Sequence, residues 1–333
     1  MKYCLPLILA VAIATTALAQ TQPPDYWEEE WDHHDWYHEE GYDSPDSPLA
    51  VTDGTPQSTS AMVALEVASD AAFLRVDETV ELFEEPAPDE AATEVAVQRS
   101  AIDIDFGIGS ATVGDIDFDL YTVRVPYSRT LHKRGSVSLL VPLSITRAKD
   151  VILGEDGVSL GNASIYGGGV VAGYAHRVFI KEDGKPYRWR VSPSAGLFLR
   201  ESSDLNQGAW VYNLGLSSSF AYRLDEHWVI NMGNSLSLAW NSGRKDYPDP
   251  IRDNQQVVIN GIQVFYLANR WTHHAYVMDT RFLRSSFIDN FQAYAIGTGY
   301  RITRSRSFQA TLVYENGSRY ESIRGMIGTT WKF

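Results

Sequence analysis

The stretch Tyr320-Glu321-Ser322-Ile323-Arg324-Gly325-Met326-Ile327-Gly328-Thr329-Thr330-Trp331-Lys332-Phe333 closes the sequence. Ile323, Gly325, Ile327, Thr329, Trp331 and Phe333 share one parity, and Arg324 and Lys332 fall on the other. Side chains of a strand alternate between its two faces, so a period of two predicts a strand with one apolar and one polar face.

The same alternation recurs back to Ser100. Ile102, Ile104, Phe106 and Ile108 oppose Asp103, Asp105, Gly107 and Gly109. A second run begins Ile116, Phe118, Leu120 and continues Val123, Val125, Tyr127, a change of parity that predicts a bulge near Leu120. A third sets Val137, Leu139, Val141, Leu143 and Ile145 against Ser136, Ser138, Ser144 and Thr146. Tyr166, Val170, Ala172 and Tyr174 then oppose Gly167, Gly169 and Gly173, and Trp189 to Leu199 oppose Arg188, Arg190 and Arg200. Trp210 to Tyr222 and Trp228 to Trp240 continue the pattern, with Asn234 as an exception on the apolar face. Five more runs lie near residues 257 to 268, 272 to 283, 291 to 302, 307 to 315 and 320 to 333, for about twelve strands in all. Apolar-out, polar-in strands of this length suit lipid outside and a polar interior, because unpaired backbone cannot face hydrocarbon.

An even strand number returns both ends of the barrel to one side of the membrane. Connections after even strands are expected to be short, as at Lys181 to Pro186, Leu224 to His227, Asn269-Arg270 and Thr303 to Arg306. Those after odd strands are expected to be longer, as at Ala148 to Asn162 and Asn241 to Gln256, although Ser110 to Asp115 is short. Aromatic residues cluster at strand ends. Trp189, Tyr222, Trp228, Trp271, Tyr300 and Trp331 fall at one end and Trp210, Trp240, Phe282, Phe287 and Tyr314 at the other, as two headgroup girdles would. A soluble all-β sandwich would use aromatics in its core but leaves the terminal phenylalanine unexplained.

A chain ending on Phe333 at the tip of an amphipathic strand resembles a bacterial outer-membrane β-barrel. That family places such a residue where the barrel assembly machinery reads it, which makes Trp331 and Phe333 the implied assembly signal. Twelve strands behind a leader resemble, more narrowly, the translocator domain of autotransporters, particularly solitary barrels without a large passenger. The resemblance implies an all-β fold, a transmembrane antiparallel up-and-down β-barrel over residues 100–333. It also implies a Gram-negative outer membrane, contact with its lipid, and a porin-like or translocator-like role.

Upstream, Met1-Lys2, the apolar run Leu5 to Leu18 and Ala17-Leu18-Ala19 read as a signal peptide over residues 1–19. The run is too short to span a membrane as a helix. Cys4, the only cysteine, lies inside the expected signal peptide, so the mature chain is expected to have no thiol, disulfide or cysteine-ligated metal. Residues 20–99 carry 21 Asp and Glu against Arg75 and Arg99, whereas residues 100–333 carry 21 acids against 25 Lys and Arg. The formal charge of -14 is therefore a strongly acidic leader on a slightly basic body. The leader is expected to be periplasmic, mostly disordered, with short helices at 62–83 and 89–98. It is too short for a folded β-helical passenger.

Chemistry-bearing residues are few. His33, His34 and His38 among Glu30, Asp32, Asp35 and Glu39 offer ligands suited to Zn, Cu or Ni, although a solvated acidic tail is the plainer reading. An outer-rim membrane hydrolase would need a nucleophile beside a base. Ser202, Ser203, Ser242, Ser285 and Ser286 are assigned to one end, and His132, His176, His227, His273 and His274 to the other. Asp204, Asp246, Asp249 and Asp289 leave an aspartate-based protease conceivable, but no enzyme and no cofactor are expected. Asn162-Ala163-Ser164 and Asn316-Gly317-Ser318 are glycosylation sequons without meaning in a bacterial barrel. Gly167-Gly168-Gly169 signals curvature or close approach of another group inside the barrel. There is no basic helix or aromatic platform for nucleic acid.

Parity assigns Asp103, Asp105, Asp117 and Asp119 to the inner face of the first two strands. It assigns Arg124, Arg188, Arg190, Arg200, Arg281, Arg324 and Lys332 inward elsewhere. An acidic wall facing a basic one would form a transverse charge network. Two functions follow: a channel or translocator-like pore for small solutes or ions, occluded in part by side chains or the leader, or an envelope interaction protein anchored by its barrel.

Overall fold

A computed structural model describes residues 100–113, 116–132, 134–153, 158–178, 187–202, 207–241, 254–283, 290–303 and 305–333. The expected signal peptide, the acidic leader with its two helices, and the His33, His34, His38 cluster lie outside the described residues.

The described chain forms twelve strands: β1 (Ser100–Val113), β2 (Ile116–His132), β3 (Gly135–Leu153), β4 (Val158–Arg177), β5 (Tyr187–Ser202), β6 (Gln207–Arg223), β7 (Trp228–Asn241), β8 (Asn254–Ala268), β9 (Trp271–Phe282), β10 (Phe291–Thr303), β11 (Arg306–Gly317) and β12 (Tyr320–Lys332). Each pairs antiparallel with its chain neighbour, and β1 pairs with β12 to close a barrel. The seam is fully laddered from Ala101↔Lys332 to Val113↔Tyr320. Beyond it, the Ser100 amide donates to the Phe333 carbonyl and the Phe333 amide to the Ser100 carbonyl, both at 2.9 Å. Closure is the only sheet solution in hydrocarbon, where an unpaired backbone group costs several kcal/mol.

Directly opposite residues of an antiparallel pair lie on the same face, so the register carries one assignment around the barrel. The outward set includes Ile108, 62% exposed, and Ile296, 64% exposed, with Phe106, Leu143, Leu214, Leu216 and Ile327 beside them. These belong in lipid, and their exposure is the mark of a membrane-spanning barrel. The inward set alternates with them and includes the expected Asp103, Gly107, Ser138, Gly169, Ser217 and Arg324.

Two expectations change. The β1–β2 ladder keeps one register from Ser100↔Arg129 to Val113↔Ile116, with no bulge near Leu120. The stretch Ala148 to Asn162 is mostly strand rather than loop, because β3 and β4 continue as a paired hairpin to Leu153↔Val158. The expected short turns at Leu224 to His227 and Asn269-Arg270 appear at the rim holding Ser100 and Phe333, whereas Lys181 to Pro186 lies outside the described residues. Asn269 takes a left-handed conformation (φ 54°) in the two-residue β8–β9 turn, which tight hairpins require. In the β6–β7 turn, the Asp225 carboxylate accepts from the amides of His227 at 2.7 Å and Trp228 at 2.8 Å. These two bonds hold the Asp225 carboxyl below its ordinary value.

Candidate functional site in the barrel lumen

The inner wall divides by height. Towards the rim opposite Ser100 and Phe333, buried apolar side chains join in one cluster to which every strand contributes. It runs through Val113, Leu120, Leu140, Val171, Phe198, Val211, Ala239, Ile259, Met278, Phe291, Val313 and Tyr320. Rings carry it along the wall, with Phe282 and Phe291 centroids 6.4 Å apart and Phe291 and Tyr320 4.9 Å apart. Phe198 lies opposite Gly169, where a Cβ atom would stand 2.5 Å from its ring. The group approaching the glycine run is thus a side chain of the barrel itself. Phe282, expected in an outer girdle, faces inward here because its partner across the ladder is the buried Val257.

Below this collar the wall is polar. Asn213 Nδ2 donates to Ser237 Oγ at 2.6 Å, Ser219 Oγ to Asn231 Oδ1 at 2.8 Å, and Gln309 Nε2 to Asp105 Oδ1 at 3.2 Å. A Cβ at Gly328 would collide with that Asp105 carboxylate, so the glycine on β12 makes room for the acid on β1. His274 also faces inward, its Nε2 3.3 Å from Thr311 Oγ1 and its ring against Phe265. Small inward residues on this wall, such as Gly297 beside His274, leave space for the larger ones.

A buried ion pair ties the two zones together. Glu315, with a side chain 1% exposed, accepts from the Arg324 guanidinium and, at 2.5 Å, from Tyr320 Oη. Arg324 reaches it over Gly109, where a Cβ would strike the arginine stem. A buried carboxylate with two strong donors is satisfied, and removal of the cation would strand it. Neither Glu315 nor Tyr320 was foreseen as a site residue. Parity offered the signal, since an outward Tyr314 turns Glu315 inward.

Inward positions are occupied by Asp103, Asp105, Arg124, Arg188, Arg190, Arg324 and Lys332, as expected. Arg200 stands at the inward register position opposite Gly167, and its side chain lies outside the described residues. Three assignments are corrected. Asp117 and Asp119 pair across from Thr112 and Ser110 on the outer face, where Thr112 Oγ1 donates to Asp117 at 2.8 Å and Lys149 pairs with Asp119 at 2.7 Å. Arg281 also faces outward, opposite Val258, and pairs with Asp279 at 2.7 Å. Their strands continue past the apolar belt, so water replaces lipid outside while the collar claims the apolar residues inside. Arg324 consequently meets Glu315 and not an aspartate of β1 or β2.

Outside, the rim holding Ser100 and Phe333 carries a slab of rings. Trp228 contacts Tyr266 at 4.9 Å, Tyr266 lies 6.4 Å from His273, and Trp271 contacts Tyr300 at 4.7 Å. Trp189 Nε1 donates to Ser218 Oγ at 2.9 Å on the same outer face. Phe333 is exposed at the lip. The barrel histidines cluster towards this rim, and the side chains of the candidate serines and loop aspartates lie outside the described residues. Among the described residues no group of three His, Cys, Asp or Glu side chains converges as metal ligands would.

No protein-family model and no curated protein sequence matches the chain. Solved structures do. The translocator domain of autotransporter NalP from Neisseria meningitidis matches with a TM-score of 0.52 at 11% identity, over 85% of this chain and 100% of that one. The β domain of the Bordetella autotransporter BrkA matches with a TM-score of 0.52 at 14% identity, over 72% and 100%. The transport unit of autotransporter AIDA-I from Escherichia coli gives a TM-score of 0.52 at 12% identity, over 84% and 99%. At such identities the likeness is one of fold. The chain is a closed β-barrel of twelve antiparallel strands, built like the translocator domains of autotransporters.

Proposed function

We propose that the barrel is a channel or translocator-like pore, with the Ser100 and Phe333 rim in the periplasm and the apolar collar narrowing the opposite mouth. The observation that carries this reading is the inner wall below the collar. It places Asp103, Asp105, Arg124, Arg188, Arg190 and Lys332 on the inner face, next to a ladder of Asn, Ser and Gln side chains. Charges on an inner face are costly unless water, counter-charges or a polar chain fill the space beside them. An inert anchor would gain nothing from them. The fold's likeness to translocators supports the same reading, and the assembly machinery, lipid and small solutes are its expected partners.

A second reading rests on the collar. An apolar ring contributed by all twelve strands could close the lumen, leaving the barrel as an anchor for an interaction surface formed by residues 20–99. Single-channel conductance of the full chain, and of the chain after removal of residues 20–99, decides between them. The pore reading expects ionic conductance that rises when the leader is removed. Membranes that stay silent in both cases would overturn it in favour of the anchor.

A further inference from the structure

Four glycines of the inner wall make room for side chains of the barrel itself. A Cβ would strike Thr122 at Gly107, the Arg324 stem at Gly109, His274 at Gly297 and Asp105 at Gly328. Gly325 differs. It faces outward on β12, between Ile108 on β1 and Leu312 on β11, and a Cβ there would meet only the Ile108 carbonyl, at 4.0 Å. Glycine weakens the interior of a strand, and its common use there is to let another group approach the backbone closely. At Gly325 no side chain of the described barrel makes that approach.

The gap over Gly325 has walls and a floor. The strands carrying the exposed Ile108 and Leu312 stand about 10 Å apart across it. The slot continues diagonally to the small Ala310, which faces outward between Thr298 and Ile327. Together with Phe106 and Ile296 these residues bound a depression of about 660 Å³ on the outside of β10, β11, β12 and β1, across the barrel seam. Its hydroxyls are already engaged, Thr298 Oγ1 with His273 Nδ1 at 3.2 Å and Thr311 Oγ1 with His274 Nε2 at 3.3 Å. At the rim of the same strands, the exposed Arg306 stands directly opposite Trp331, among the rings that mark the headgroup level. Ala310 follows Arg306 by four residues, about 13 Å along β11.

A narrow apolar slot suits a hydrocarbon chain, and a guanidinium at headgroup level suits a phosphate, to which its planar fork donates two parallel hydrogen bonds. A phospholipid carries both groups. A second barrel fits poorly, because a stable protein contact buries roughly 800 Å² a side and a slot one strand wide supplies little of it. We propose that the outer face of β10, β11, β12 and β1 holds one phospholipid, with an acyl chain in the slot over Gly325 and Ala310 and its phosphate on Arg306. The site uses only the outer surface of the barrel, so it stands or falls separately from the pore reading.

The test uses the full chain folded in a non-ionic detergent, phosphatidylglycerol as the added lipid, and native mass spectrometry. Stepwise addition is expected to fill one tight site before weaker binding begins. Gly325→Leu fills the slot with a side chain of the barrel and weakens retention of that first lipid about tenfold, the loss of roughly two buried methylene groups. Ala172→Leu, a like enlargement at an exposed position on β4, leaves retention unchanged. Diacylglycerol, which has the chains without the phosphate, isolates the role of Arg306. The parent prefers phosphatidylglycerol to it about tenfold, the effect of one charge-assisted hydrogen-bonded contact; Arg306→Gln loses that preference and Arg306→Lys keeps most of it. Heat-modifiable gel mobility shows that each variant is folded, and where Gly325→Leu gives no compact form, Ala310→Leu takes its place. The proposal is overturned if the parent holds no tight first lipid, if it appears as a pair of barrels without lipid, if the slot-filling variant retains the lipid as the parent does, or if Arg306→Gln keeps the preference for phosphatidylglycerol.

Discussion

The first turns of β1 and β2 obey opposite rules. At the end of β1 that holds Ser100, Ile102 and Ile104 face out and Asp103 and Asp105 face in; at the opposite rim, at the start of β2, Asp117 and Asp119 face out and Phe118 and Leu120 face in. The backbone does not change between them, since one register spans both strands. Only the surroundings change. In the belt, lipid takes the apolar residues and the lumen takes the charges. Beyond it, water takes the charges and the collar takes the apolar residues. Alternation therefore reports two unlike faces, and the medium on each side decides which is inner.

The sharpest way to break this contrast is at the point where a charge sits inside the collar zone. Arg324→Ala leaves the Glu315 carboxylate buried against Tyr320 without its cation, and is expected to cost about 3–5 kcal/mol. Urea unfolding in detergent measures it, and the double variant with Glu315→Gln should recover most of the loss. Full stability in Arg324→Ala would mean that the pair is incidental.

Next in size is a charge moved across the belt. Leu143→Arg, outward and lipid-facing, should cost about 2–4 kcal/mol, whereas Thr112→Arg near the far rim should cost about 0–1 kcal/mol. Equal costs at the two heights would erase the distinction drawn here. In the collar, Leu120→Ala is expected to cost about 2–3 kcal/mol and to increase conductance, because it removes an inward side chain rather than a lipid contact. Unchanged conductance alongside reduced stability would place the constriction elsewhere.

The smallest effect belongs to the Asp225 turn, outside both zones. Its carboxyl is held below its unfolded value by two backbone amides, so its contribution is present above about pH 4 and is lost as the pH falls through the lowered value. Asp225→Asn should flatten the acid limb of the stability profile slightly. An identical limb in both proteins would show that the turn is held by other bonds.

Most of the barrel is legible because lipid imposes a two-residue rhythm that the order of apolar and polar residues reveals. That rhythm puts Asp103, Arg188 and Arg324 on the inner face and counts twelve strands, and the short turns agree with an even number. What escaped lies where the rhythm loses its external reference. The parity change at Leu120 mimics a backbone defect only if Phe118 faces lipid, and Phe118 packs against the collar instead. Arg281 lies on the outer face in the same zone, where no lipid belt requires Asp279 and Arg281 to turn inward. Glu315 stands at the last position of its alternating run, and its partner nine residues on becomes visible only once β11 and β12 are in register. The slot over Gly325 likewise depends on Ile108 and Leu312 across two ladders, which single-strand patterns do not report.

The reciprocal bonds between Ser100 and Phe333 place both ends of the laddered segment at one point on the lip. Tension applied between those two residues would therefore act across the seam rather than along it. The β1–β12 rungs would bear the load in turn, starting with Ala101↔Lys332 and moving towards Val113↔Tyr320, instead of sharing it. A ladder loaded this way peels at low force in small steps. Mechanically, the closed wall has a zip at the lip, and pulling from that side is the direction in which it offers least resistance.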